Sequence, residues 1–184
     1  MRLPSEQLCK ALNYRFADMG MLELALTHRS AGGKHNERLE YLGDAILGFV
    51  TADVLFQRFP EANEGQLSRL RASLVKRDTL AEIARLLDIA KYIRMGGGEL
   101  RTGGQHRSST LADSFEAVIG AVYLDGGYVA ARQLLELLYA ERYEALSLQS
   151  VGKDPKTLLQ EKMQAGKRPL PDYDIIEVSG DQHN

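Results

Sequence analysis

The sequence predicts an all-α domain followed by a short segment of mixed α and β character. Three observations carry that prediction. Apolar residues recur at helical spacing from Ser5 to Leu146. Breakers punctuate the pattern at Phe59-Pro60, Gly96-Gly97-Gly98 and Asp125-Gly126-Gly127. The run with strand character, Tyr173 to Val178, comes only near the C-terminus. With 184 residues, 44% of them hydrophobic, the chain can bury one core of ordinary size and carry a small appendage.

Ser5 to Leu12 reads as a short helix, and Asp18 as the N-cap of a second one carrying Met21, Leu22, Leu24, Ala25 and Leu26. Thr27 to Asn36 is polar and glycine-rich, hence a loop, in which His28 and His35 lack metal-ligand spacing and read as surface histidines. A helix from Asn36 to about Arg58 ends at Phe59-Pro60, and Asn63 caps the next, Glu64 to Val75, with Leu67, Leu70 and Leu74 as its core stripe. Asp78 is expected to cap a helix through Leu87. Ile89 to Arg94 fits a short helix or an extended run, and the glycine-rich Met95 to Ser109 reads as a flexible connection rather than a phosphate loop, since no Gly-Lys-Ser/Thr follows. Leu111 to Leu124 is almost wholly apolar and must be a central buried helix. Tyr128 to Leu146 is amphipathic, Ser147 to Asp154 a linker, and Lys156 to Gln164 a helix opened by Pro155.

The segment Asn36-Glu-Arg-Leu-Glu-Tyr-Leu-Gly-Asp44 sets carboxylates into an otherwise apolar helix. Residues three, four or seven apart share a helical face, so Glu37, Glu40 and Asp44 fall within an arc of about 60°, and Gly48 continues the stripe. The helix macrodipole and an N-cap at Asn36 account for Glu37. They do not account for Asp44, two turns in, whose neighbours Gly43, Ala45 and Ile46 suggest burial. The central helix repeats the pattern, with Asp113 and Glu116 on one face and Gly120 on the same stripe. Two such helices packed through their glycines would converge four or five acids on one cavity, which demands a compensating cation. Oxygen-only ligands select a hard ion, Mg²⁺ or Mn²⁺, and the want of Cys and His disfavours zinc.

Composition narrows the rest. No apolar run approaches the roughly 20 residues of a membrane span, and Met1 to Glu6 lacks a secretory core, so a cytoplasmic protein with no membrane partner is expected. The net charge of −2, from 23 basic and 25 acidic residues, argues against binding nucleic acid through overall positive charge. Local clusters remain: Arg69, Arg71, Lys76 and Arg77, and then Arg94, Arg101, His106 and Arg107. Arg69, Arg71, Arg101 and Arg107 are the candidate nucleic-acid contacts among them. Cys9 is read as a buried structural thiol.

With both acidic segments in hand, the chain resembles bacterial ribonuclease III, the double-stranded-RNA endonuclease. The resemblance rests on Asn36 to Asp44, on Leu26-Thr27-His28-Arg29-Ser30, on Glu64-Gly65-Gln66-Leu67-Ser68-Arg69-Leu70-Arg71, and on Leu111-Ala112-Asp113-Ser114-Phe115-Glu116-Ala117. It implies a helical endonuclease domain over residues 1–146 and a linker over 147–154. It implies that Glu40, Asp44, Asp113 and Glu116 form a catalytic metal cluster, with Asp44 and Glu116 the most sensitive and Glu37 and Glu64 as outer acids. It further implies a homodimer in which Tyr41, where the family usually has Phe, inserts into the partner. Cleavage of double-stranded RNA to 5′-phosphate and 3′-hydroxyl ends, in processing of rRNA precursors and other structured transcripts, is the activity so implied. Lys153 to Glu161 resembles the opening of the family's double-stranded-RNA-binding domain, so residues 155–184 are expected to be the N-terminal part of an incomplete α+β domain of that kind.

Two other readings compete. A non-cleaving RNA-processing scaffold would show loss of a ligand acid, and none is lost. A carboxylate-bridged metal oxidase wants Glu-x-x-His pairs, and no histidine here follows an acid by three.

Overall fold

The structure is a computed structural model that describes residues 5–148, 155–169 and 171. The chain divides into two compact units, Met1–Ser147 and Leu148–Asn184. In the first unit the helices are α1 (Ser5–Ala11), α2 (Met19–Ala25), α3 (Glu37–Arg58), α4 (Glu64–Val75), α5 (Arg77–Leu86), α6 (Gly97–Arg101) and α7 (Ser108–Ala145). Short 3-10 turns at Arg29–Ala31, Ile89–Lys91 and Gly104–His106 join them. In the second unit α8 spans Pro155–Ala165, beginning at the proline whose fixed φ suits a first helical position. The expected strand at Tyr173 to Val178 lies outside the described residues. No strand occurs among the described residues, only an isolated parallel bridge between Thr27 and Arg94.

Helix α7 is the centre. Its first half buries Leu111, Phe115, Val118, Ile119 and Val122 on all sides, as a helix apolar all round must. It packs chiefly on α3, then on α5 and α2. Gly127, at φ +75°, interrupts it, and the helix resumes at once toward Ala145. That break is held from outside: Asp125 accepts from the Tyr14 hydroxyl at 2.7 Å and from the Ala17 and Asp18 amides at 2.9 Å. Beyond it, Arg132 donates to Asp53 of α3 at 2.6 Å, and the buried Tyr139 hydroxyl donates to the Leu74 carbonyl at 3.3 Å.

The expected caps hold at Asp18, which accepts from the Gly20 amide, and at Asn63, which forms a reciprocal box with Gln66. Two others fail. Asn36 is buried in helical conformation with no side-chain cap bond, and its backbone N–H donates to the Thr27 carbonyl. Asp78 lies inside the first turn of α5, after Lys76 at the cap, where it complements the dipole without capping. The glycine-rich stretch expected to be a loose connection folds into α6 and the Gly104–His106 turn. Cys9 is half-buried, and burial raises its thiol pKa.

The crossing of α3 over α7 uses one of the two expected glycines. A Cβ on Gly120 would fall on the Leu39 carbonyl oxygen, and a Cβ on Gly43 would fall on the Glu116 carbonyl oxygen. Gly48 meets nothing within 4 Å. The reason is the face: Leu39, Gly43, Leu47 and Val50 form the buried stripe of α3, whereas Gly48 continues the carboxylate stripe beside it. Gly43→Ala should therefore lower stability by about 3 kcal/mol or more, because backbone on the other side cannot retreat as a side chain could. Gly48→Ala should be neutral or stabilising by up to about 1 kcal/mol. Thermal melting of the two variants checks this, and equal melting temperatures would refute the assigned crossing.

Candidate active site

Leu39 and Gly43 lie against α7, so the residues one step further along α3, Glu40 and Asp44, stand at the edge of the contact. From the other side α7 presents Asp113 and Glu116. The result is a cluster in which one carboxylate oxygen from each of Glu40, Asp113 and Glu116 lies within 4.8 Å of the others. All three side chains are half-buried.

Their protonation equilibria report the strain of that arrangement. Burial pushes Glu116 up to about 8, and the charges of Asp44, Asp113 and Glu40 add to it against the opposing Arg77. Glu40 is raised by burial and then by Asp113, Glu37 and Asp44, with Arg29 opposing. Asp113 is raised by burial, while Arg77, His28 and Arg29 pull it down. Asp44 is solvent-exposed, against the expectation drawn from its neighbours. Gly43 is indeed buried, but Ala45 is exposed, because the helix turns its contact face away between them. Asp44 is nevertheless the charge that weighs most on Glu116 after burial.

The donor set fits a divalent cation. Oxygens around a six-coordinate Mg²⁺ at 2.0–2.1 Å stand about 3 to 4 Å apart, within small rotamer adjustments of the observed spread. Burial is the main cause of the raised pKa values, and at Glu40 and Glu116 the charges of neighbouring acids add to it beyond what the chain's own cations offset.

The cluster opens on a cavity of about 690 Å³ whose walls include His28, Arg29, Glu37, Glu40, Arg107 and Asp113. Glu37 reaches Arg29 at 3.5 Å and His35 at 3.7 Å. Arg107 is tied to Glu99 and to the Thr102 hydroxyl, each at 3.0 Å. The remaining predicted residues stand elsewhere. Glu64 opens α4, accepts from the Ser68 hydroxyl at 2.8 Å, and lines a separate apolar groove with Leu55, Phe56 and Leu67. Arg71 lies on that groove, and Arg69 is half-buried with its Nε unpartnered. Arg101 donates to the Gly97 carbonyl at 3.1 Å. Tyr41 is 81% exposed on α3.

Residue-by-residue reading passed over His28 and Arg29 as loop polar groups and Arg77 as one member of a basic run. The loop is brought to the cavity by pairing with Arg94, some sixty residues on, which no local periodicity announces. The motif Leu26 to Ser30 was the available signal.

Comparison with known proteins agrees with this helical fold. A family model described as ribonuclease-III-like matches residues 18–143. A protein named Ribonuclease 3 from a Marinomonas species is 56% identical over 179 residues, covering 97% of this chain and 79% of its own length. Another Ribonuclease 3, from Nitrosococcus oceani, is 56% identical over 181 residues, covering 97% and 78%. Among solved structures, the nuclease domain of ribonuclease III from Campylobacter jejuni, described for flexibility in a region involved in dimer formation, superposes with a TM-score of 0.74 at 40% identity. That match covers 76% of this chain and 99% of that one. Dicer from Pichia stipitis gives a TM-score of 0.57 at 28% identity, covering 91% and 77%. A buried helix pair that gathers acids at a glycine crossing, in a chain with these relatives, leads to one conclusion: the chain belongs to the ribonuclease III family of double-stranded-RNA endoribonucleases.

Proposed function

We propose that the chain hydrolyses phosphodiester bonds of double-stranded RNA at the carboxylate cluster, with Mg²⁺ as the resident ion and Mn²⁺ as its substitute. The observation that carries this reading is the convergence of Glu40, Asp113 and Glu116 in one cluster, two of whose members, Glu40 and Asp113, line the cavity. Those three residues would hold the ion. When bound, it supplies positive charge to the phosphoryl oxygens and makes water acidic enough to attack at neutral pH. Asp44, exposed and close enough for its charge to act on Glu116, is suited to orient the attacking water and take its proton. Glu37 and Glu64 act as outer acids. Attack on phosphorus with departure of the 3′-oxygen leaves 5′-phosphate and 3′-hydroxyl ends. Arg69, Arg71, Arg101 and Arg107 are proposed as backbone contacts to the duplex, and Arg107 is supported most directly because it lines the cavity. Precursors of rRNA and other structured transcripts are the proposed substrates, and the cytoplasm is the proposed setting. Residues 155–184 are read as the N-terminal part of a double-stranded-RNA-binding domain, a reading supported by α8 at its expected place.

A homodimer is part of the proposal. Tyr41, Phe49 and Phe56 share one face of α3 and are 81%, 59% and 71% exposed, a row of large apolar side chains that a lone chain has no reason to keep. Two copies meeting on that face would set two sites against opposite strands and cut with a stagger. Tyr41→Ala should cost on the order of 3 kcal/mol per site, enough to raise the dimer dissociation constant by two or more decades. Sedimentation of an unchanged dimer at low concentration would contradict it.

Cleavage of an RNA duplex beside a single-stranded control, with Mg²⁺ and with chelator, tests the activity directly. Glu116→Gln should lower cutting by more than roughly a hundredfold, beyond the loss caused by removing outer partners of a metal site. Cleavage by the variant at a near wild-type rate would remove Glu116 from the site.

The metal-free protein should carry a matching signature in its stability. Glu116 has a folded pKa of about 8 against an ordinary 4.5, so between those values the fold holds a proton that the unfolded chain has released. Stability from this group is full below about pH 4.5 and lost as pH rises toward 8. The melting temperature in chelator should thus fall over that window, with Glu116→Gln flattening the slope and Mg²⁺ restoring stability at the alkaline end. A wild-type profile that rises from pH 5 to 8 in chelator would be the contrary result.

A further inference from the structure

We propose that His28 is a substrate-contacting residue of this cavity, donating its Nε2–H to a non-bridging oxygen of the RNA phosphate backbone, and that Ser30 is the positioning residue that fixes the ring for that contact. The inference rests on the nuclease reading and adds a residue to it.

The backbone around His28 is pinned on both sides. The His28 amide donates to the Arg94 carbonyl at 2.9 Å, the Arg94 amide donates to the Leu26 carbonyl at 2.7 Å, and the Gly96 amide donates to the Ser30 hydroxyl oxygen at 3.0 Å. Gly96 packs so tightly that a Cβ there would fall on the Ser30 carbonyl oxygen. A loop so held presents its side chains in fixed directions.

The ring itself is assigned by its partners. His28 Nδ1 accepts the Ser30 backbone N–H at 3.2 Å and therefore carries no proton of its own. The Ser30 hydroxyl, 2.8 Å from the same nitrogen, must then be a donor to it. With Nδ1 occupied by two donors, the proton of the neutral ring sits on Nε2, which has no hydrogen-bond partner among the described residues. Capping the Arg29–Ala31 turn uses only Nδ1 and leaves the Nε2–H without employment.

The surroundings leave that donor to an incoming acceptor. His28 lines the cavity together with Glu37, Glu40 and Asp113. The two arginines on the same walls are engaged, Arg29 with Glu37 and Arg107 with Glu99, whereas among the described residues His28 forms no close ion pair and bears on Asp113 only at longer range. Duplex RNA brings phosphates to this acidic cavity, and an uncommitted N–H fixed at its wall is the group able to take one.

Two substitutions separate this role from turn capping. His28→Asn keeps an acceptor where Nδ1 stands and removes the reach of Nε2; His28→Gln reaches as far as Nε2 and gives up the cap. In the Mg²⁺-loaded protein, His28→Asn should melt at the wild-type temperature yet cut a duplex about ten- to a hundredfold more slowly. His28→Gln should recover most of that loss. Duplex affinity, read without turnover by adding each substitution to Glu116→Gln, should follow the same order. Ser30→Ala should weaken binding by a smaller factor, and this variant decides the matter should His28→Asn melt early. Substrates carrying 2′-deoxynucleotides around the cut distinguish the acceptor: a His28→Asn deficit that persists on them supports phosphate, and one that vanishes assigns the donor to the 2′-hydroxyl and overturns the proposal. Wild-type binding and cleavage by His28→Asn would overturn it as well. A wild-type chain that binds duplex without cutting it would defeat the nuclease reading instead, while the binding comparison would still judge His28.

Discussion

Two backbones in contact make the site possible. Where α3 crosses α7, Gly43 lies against the Glu116 carbonyl and Gly120 against the Leu39 carbonyl, closer than any side chain allows. Close approach of this kind is the service a glycine renders in a helix that it otherwise weakens. The acids on the two helices are short side chains, and at an ordinary interaxial distance of 8–10 Å carboxylates branching from the edge of the contact would reach one another less readily. The absence of two Cβ atoms brings Glu40 within reach of Asp113 and Glu116.

That proximity is purchased against electrostatics. Three carboxylates meet at the margin of a packed core, and the chain supplies only partial relief. Arg77 acts on both Asp113 and Glu116, while Arg29 acts on Glu40 and Asp113. Neither forms a close ion pair with the cluster; Arg29 is engaged with Glu37 instead. A fold selected for stability alone would pair these acids or dispense with them. Burial of the three acids, with the repulsion that remains at Glu40 and Glu116, is what a bound cation would offset. The same residues thus lower the stability of the bare chain and create affinity for a cation.

Much of this was legible in the sequence, and the exceptions have one cause. Helix ends written in local chemistry could be read: Asn63 with Gln66, Asp18, and the stop at Phe59-Pro60. The pairing of acids on each helix followed from spacing. What spacing could not say is which face of α3 meets α7. Gly48 shares the carboxylate stripe and was the natural partner for Gly120, yet the contact runs along Leu39, Gly43 and Leu47. The same choice of face leaves Asp44 exposed. Failures at Asn36 and Asp78 are of the same sort, since a cap is local only until tertiary packing claims the residue or shifts the start of the helix. The pinning of His28 by Arg94 and Gly96 joins segments far apart in the chain, and hydrophobic period carries no trace of it.

Once the faces of α3 are assigned, the helix sorts into three sectors. At 100° per residue, Leu39, Gly43, Leu47 and Val50 span about 80°, the acids Glu40, Asp44 and Glu37 occupy about the next 60°, and Tyr41, Phe49 and Phe56 follow over about 80° more. The acidic sector therefore lies between the core and the exposed aromatic row. One rigid element fixes all three directions at once, so a second molecule seated on the aromatic row would be indexed to the acids by helix geometry rather than by a flexible linkage. The indexing also constrains sequence change. A rotation of α3 that improved packing on the aromatic side would withdraw Gly43 from Gly120 and separate Glu40 from Asp113 and Glu116. Core, cluster and exposed row cannot be adjusted independently, which is why a single 22-residue helix carries the requirements of folding, chemistry and association together.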